Sequence, residues 1–199
     1  MRGTVVGIDR SLPMLRAATG SSAAQALACA DARLLPLRDR SADVVLMLWL
    51  LHHLADKTVA VSEAQRILRS GGQLIAATSE ASETGPHADL IREAFTRVLG
   101  RDCDRWLEPL DFHVDNGRHV LRQHFEAITV HHSSINFELD DPEPLVNYLD
   151  SGRAPIEAEL GSDLPWLDIL TTTRTLVSAH IRSHGSLGFS RRSATFVAR

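Results

Sequence analysis

Asp9 and Asp31 are the residues whose placement most plainly invites chemistry. Asp9 closes the apolar run Thr4-Val5-Val6-Gly7-Ile8, which reads as a buried β-strand, and Ser11-Leu12-Pro13-Met14-Leu15 then opens a helix. An ionised carboxylate only accepts hydrogen bonds, so at the tip of a parallel strand it can take both hydroxyl hydrogens of a ribose. A plain strand end or helix cap is the alternative reading of Asp9. Asp31 stands in the same way beyond a second short run, Ala24–Cys29, whereas Asp39 and Asp43 read as turn and strand-start residues.

Other reactive side chains invite less. His52-His53 offers a general base, but one ring packed in the core and the other capping or facing solvent is the preferred reading. His180 and His184 have a metal-compatible spacing on a predicted helix and no evident third ligand, so they read as a solvated pair. His131 and His132 point to opposite faces of a strand and cannot easily share one metal. Cys29 and Cys103 lack metal spacing and read as reduced, buried thiols. Trp106, Phe112 and Trp166 read as core before substrate pocket, and Leu12, Met14 and Leu15 as helix core. Gly71-Gly72 reads as a helix stop that permits positive φ, not as a phosphate loop. No metal is expected, and no catalytic residue is assigned.

The elements that must position these residues alternate strand and helix through the first half, the pattern of a parallel sheet with covering helices. Val5–Ile8, Leu27–Cys29, Val44–Leu48 and Leu74–Ala77 are predicted parallel strands of one sheet. Helices are predicted from Ser11 to about Thr19 and over Thr58–Leu68, with Ser70-Gly71-Gly72 as the stop. The second half predicts helices over Pro86–Leu99, His119–His124, Pro142–Leu149 and Leu164–His184. A strand from Ala127 to about Phe137 and a final antiparallel strand at Ala194–Ala198 complete the set. One domain, 1–199, is expected, with 1–80 as its cofactor-binding half and 81–199 as a substrate-side half carrying a helical insertion.

Composition agrees with a soluble α/β protein: 44% hydrophobic and 23% charged residues over 199 positions. Lys+Arg 21 against Asp+Glu 25 gives a net charge of −4 without a basic run, which argues against nucleic acid. No apolar run reaches the ~18 residues of a membrane span, and no signal-peptide pattern opens the chain. A cytoplasmic location is the expectation.

Four ordered segments carry a family resemblance: Val5–Asp9 with Ser11 and Met14-Leu15; Ala30-Asp31-Ala32 through Leu35-Pro36-Leu37 and Asp39; Asp43-Val44-Val45 through Leu51-His52-His53-Leu54; and Glu63-Ala64 with Arg66–Arg69 and Gly71-Gly72. In this order and spacing the chain resembles the class I S-adenosylmethionine-dependent methyltransferases of the small, Rossmann-like domain group. The resemblance implies that Asp9 holds the ribose hydroxyls of S-adenosylmethionine. It further implies that Asp31 takes the adenine amine, that the Ala32 amide faces a ring nitrogen, and that Met47 and Leu48 line the cleft. It implies a mostly parallel sheet with an antiparallel C-terminal strand, and a small-molecule methyl acceptor with no membrane. The family's first strand and glycine-rich loop are not among these residues, so the expectation is an N-terminally truncated form. Their absence predicts a gap or a new pairing between the neighbouring strands, whose buried backbone groups then need partners. A non-catalytic methyltransferase-like binding or partner protein is the alternative, and a nicotinamide-dependent oxidoreductase the third.

Overall fold

Ser11 ends the first strand and starts the first helix in one step. In the computed structural model, which describes residues 3–20, 24–82, 84–101 and 110–199, its Oγ accepts the Met14 N–H at 3.4 Å. Cys103 and Trp106 lie outside the described residues. The elements in chain order are β1 (Val6–Asp9), α1 (Leu12–Ala18), β2 (Ala26–Cys29), β3 (Ala42–Leu48), a 3₁₀ turn (Leu51–His53), α2 (Lys57–Ile67) and β4 (Leu68–Ser79). There follow α3 (Pro86–Leu99), α4 (Gly117–Leu121), β5 (Ile128–Leu139), α5 (Glu143–Ser151), α6 (Arg153–Leu160), α7 (Trp166–His184) and β6 (Leu187–Ala198). Helix α6 forms between the two helices expected over Pro142–Leu149 and Leu164–His184, with Gly152 and Gly161 as its two caps.

The chain divides into two compact units. The first comprises Met1–Thr78, Asn116–His131 and Ala194–Arg199. Here β1 and β2 pair in parallel, with Asp9 opposite Cys29, and β3 pairs in parallel with β4, with Leu48 opposite Ala77. The expectation of one continuous sheet is corrected: β1-β2 is a separate two-stranded sheet, and β3-β4-β6-β5 is a four-stranded one. The break falls between the two strands that the resemblance implied would flank a further strand. Among the described residues β1 and β3 are each edge strands, and Val44 and Leu46 on β3 are 50% and 58% exposed.

Another correction concerns Gly71. Helix α2 already stops at Ile67, and β4 begins at once with Leu68. Gly71 (φ +79°) sits in an irregularity where the register passes from Ala42↔Leu68 to Val44↔Gln73, so the extra residues bulge out of the ladder. At the other end of the chain, Ala127 and Arg199 exchange reciprocal backbone hydrogen bonds, the mark of antiparallel β5 and β6. Core positions of this unit include Leu51, Ala60, Val61, Ala64, Ile67, Leu74 and Phe196, with the four from α2 at helical spacing.

The second unit comprises Ser79–Asp115 and His132–Ser193. Its core gathers Ile91 and Phe95 of α3, Leu145 and Leu149 of α5, and Trp166, Ile169 and Val177 of α7. Phe95 and Trp166 meet edge to face with ring centroids 6.2 Å apart, and the Trp166 indole N–H donates to Asp150 at 2.7 Å. Trp166 and Phe112 are both buried, which bears out the packing reading of each.

Gly117 tests the packing of the first unit. A Cβ there would lie 2.5–3.1 Å from ring atoms of the fully buried Phe196. Gly117→Ala is therefore expected to lose about 1–3 kcal/mol in chemical denaturation. An unchanged midpoint would show that the ring has room to move.

Candidate functional site

Parallel pairing of β1 with β2 brings the two acidic tips together. Asp9 and Cys29 are register partners, and the next N–H along, that of Ala30, donates to the Asp9 carbonyl at 3.1 Å. Asp31 therefore leaves β2 beside the tip of β1. A Cβ on Gly7 would lie 2.7 Å from a Leu27 methyl, so glycine permits the close approach of these strands.

The two carboxylates are committed differently. Asp9 uses Oδ1 to accept the Ser11 N–H at 2.7 Å, and its other oxygen has no partner among the described residues. Asp31 is engaged on both oxygens: Arg33 donates its backbone N–H at 2.8 Å, Nε at 3.0 Å and Nη2 at 2.7 Å. The Arg33 side chain, and after it the Arg33 backbone N–H, holds the Asp31 carboxyl down at about 2 from its ordinary 3.8. The Ala32 N–H, in the intervening turn, has no partner among the described residues. An acceptor-only carboxylate with a spare oxygen, a second carboxylate and an open N–H suit the hydroxyls and ring edge of an adenosine. Arg33 must share or release Asp31 for that contact to form.

At the tip of β3 the alternation of the strand separates Met47 from Leu48. Met47 is 3% exposed and belongs to the core, whereas Leu48 is 48% exposed. Met47 thus faces the core, and Leu48 is the open residue of the pair. Trp49 follows it, 50% exposed and in the left-handed region at φ +49°, a costly conformation for a bulky side chain. Its N–H donates to the Ala77 carbonyl at 2.9 Å, which extends the β3–β4 ladder by one bond. Sequence reasoning missed Trp49 because it continues an apolar run without a turn signal. It missed the role of Arg33 because a charge two residues away looks like solvated surface.

His52 is half-buried and places Nδ1 3.4 Å from the buried Thr78 Oγ1, while His53 is exposed. His180 and His184 stack with ring centroids 4.2 Å apart. Among the described residues no three His, Cys, Asp or Glu side chains gather as a metal site, and no helix is long and apolar enough to cross a membrane. Cys29, expected buried, is exposed. A cavity of about 510 Å³ in the first unit lies at the opposite, amino-terminal ends of β3 and β4, lined by Arg40, Arg69, Gly72, His124 and Arg199. It is not at the acidic tips.

Residues 1–76 match the family described as a methyltransferase domain. An uncharacterised 37.1 kDa protein in transposon Tn4556 of Streptomyces fradiae is 37% identical over 118 residues, 52% of this chain and 34% of the relative. The chain thus spans about a third of the length of that curated relative. Among solved structures, a candidate type II methyltransferase of Anaeromyxobacter dehalogenans aligns with TM-score 0.60 at 21% identity, over 98% of this chain and 80% of that one. A candidate methyltransferase from an antibiotic biosynthesis pathway of Anabaena variabilis aligns with TM-score 0.56 at 20% identity, over 96% and 80%. A phosphoethanolamine N-methyltransferase of Haemonchus contortus, solved with S-adenosylhomocysteine, aligns with TM-score 0.51 at 15% identity, over 98% and 44%. These likenesses show a shared α/β fold.

The Asp31–Arg33 pair has a pH signature. Its folded carboxyl value lies below the unfolded one, so its share of stability is present above 3.8 and is lost as the pH falls toward about 2. Arg33→Met is expected to return the Asp31 midpoint toward 3.8 in an NMR carboxyl titration. The pair is exposed, so the stability change should stay small. A midpoint that stays near 2 would assign the depression to the backbone N–H alone.

Proposed function

We propose that the chain is, through residues 1–76, a class I S-adenosylmethionine-dependent methyltransferase domain, and that Asp9, Asp31 and Ala32 bind the adenosine of that cofactor for methyl transfer to a small molecule. The observation that carries the proposal is the pairing of β1 with β2, which sets Asp9 opposite Cys29, two residues before Asp31. Ligands of open α/β sheets bind at such carboxyl ends. Leu48 and Trp49, at the carboxyl end of β3, are the proposed apolar wall. The cofactor, when bound, supplies an electrophilic methyl group for in-line displacement, which leaves the protein to align the acceptor and exclude water. A net charge of −4 without a basic run supports a small-molecule acceptor over nucleic acid.

The split between the β1-β2 and β3-β4-β6-β5 sheets favours a second reading, a methyltransferase-like binding or partner protein without turnover. Hydrogen bonds to charged groups contribute about 1.5–3 kcal/mol each, so the Asp9 carboxylate is expected to carry a measurable share of cofactor affinity. Calorimetry on the 199-residue chain is expected to detect binding of S-adenosylmethionine. Asp9→Ala is expected to remove that binding. Methyl transfer by the wild-type chain would refute the second reading, and undiminished affinity in Asp9→Ala would refute the site.

A further inference from the structure

We infer that Glu63 and Arg66 are positioning residues of the cofactor site: from α2 they clamp the segment Leu35–Asp39, and through it they set where Asp31 and Ala32 stand relative to the tip of β3. The functional half of this inference rests on the cofactor reading of Asp9 and Asp31. The clamp itself is read from the geometry.

Arg66 spends all of its donors. Nε donates to Glu63 Oε1 at 2.8 Å; Nη1 to the Leu37 carbonyl at 2.9 Å and Asp39 Oδ1 at 2.6 Å; Nη2 to the Leu35 carbonyl at 3.1 Å and Glu63 Oε2 at 2.9 Å. A guanidinium carries five N–H groups, and each has an acceptor here. Glu63 Oε2 also accepts the Leu35 N–H at 2.9 Å, so the two side chains grip both polar groups of the Leu35 backbone. Glu63 keeps only 16% of its side chain exposed, where a charge-assisted pair is less screened than on open surface.

The segment needs such a clamp. Leu34-Leu35-Pro36-Leu37 has no regular structure, Pro36 has no N–H to offer, and the flanking carbonyls must be satisfied from elsewhere. Backbone bonds continue the attachment: Arg40 N–H to the Arg66 carbonyl at 3.0 Å, and Ser41 N–H to the Ile67 carbonyl at 2.8 Å. These carbonyls belong to the last turn of α2, where no intrahelical partner exists. No ladder joins β2 to β3, because the two lie in different sheets. The connection between them is therefore held in place by α2, which is itself anchored in the core through Ala60, Val61, Ala64 and Ile67.

Arg66→Lys, Arg66→Gln and Glu63→Gln separate positioning from folding. Lysine keeps the charge but not the fork. S-adenosylhomocysteine titration followed by NMR is expected to show at least tenfold weaker binding in Arg66→Lys, close to that of Arg66→Gln, with unchanged far-UV circular dichroism. Hydrogen exchange at the Leu35 amide is expected to accelerate at least tenfold in Glu63→Gln. Wild-type affinity in a folded Arg66→Lys protein, even with a lowered melting temperature, would overturn the positioning role. Wild-type protection of Leu35 in Glu63→Gln would overturn the clamp. A wild-type protein that binds no S-adenosylhomocysteine would sink the cofactor reading instead, and the Leu35 exchange would still decide the clamp.

Discussion

The carboxylate–guanidinium pair on α2 does for this protein what a continuous ladder does for most α/β sheets. Strand β3 is tied by pairing to β4, and β1 is tied by pairing to β2, but among the described residues no backbone bonds cross from one pair to the other. The chain that runs between them has no regular structure over Leu34–Leu37. It is shaped by Glu63 and Arg66, with Arg40 and Ser41 attached to the end of the same helix. Other ion pairs differ in kind. Arg69–Asp43 and Arg33–Asp31 stand on open surface, where screening and side-chain entropy leave little net stabilisation. Glu63 is held down at about 2, first by the Arg66 side chain and then by the Leu35 N–H, so the clamp keeps its charges across the physiological range.

A split sheet has consequences on both sides of the break. Edge strands leave backbone groups and apolar side chains open, and β3 shows this in the exposure of Val44, Leu46 and Leu48. The buried side of the same strand is satisfied by alternation, which places Met47 in the core. At the strand tip the chain then adopts a strained conformation at Trp49. Strain of this sort persists where the surroundings over-determine it, and here the Trp49 N–H is bound into the β3–β4 ladder. The acidic tips of β1 and β2 stand at the carboxyl ends of their strands, as do Leu48 and Trp49 on β3.

Much of the fold was legible in the residues themselves. Ser11 as a cap, the apolar period of α2, the strand at Ala42–Leu48 and the long helix after Pro165 each follow from local rules: a side chain that caps a helix, a 3.6-residue period, a short β-branched run. Asp9 and Asp31 were legible for the same reason, since a carboxylate just past an apolar strand is a local pattern. What the local rules could not supply was the partner of each strand. The division into two sheets depends on which edges meet, a matter of residues far apart in the chain. The bulge at Gly71 depends on the register of β4 against β3, and a glycine pair after a helix looks the same whether it stops the helix or kinks a strand.

The sequence by itself determined the elements, their order and the two carboxylates, because propensity, capping and periodicity act within a few residues. Tertiary structure alone decided that Met47 is core and Leu48 open, that Trp49 stands exposed at a strand tip, and that Glu63 and Arg66 meet Leu35. Each of these joins or separates groups by position in space: a face of a sheet, a turn that folds back, or contacts between positions 28 and 31 residues apart. Hydrogen bonds and burial at that range depend on the packed chain, and no local pattern encodes them.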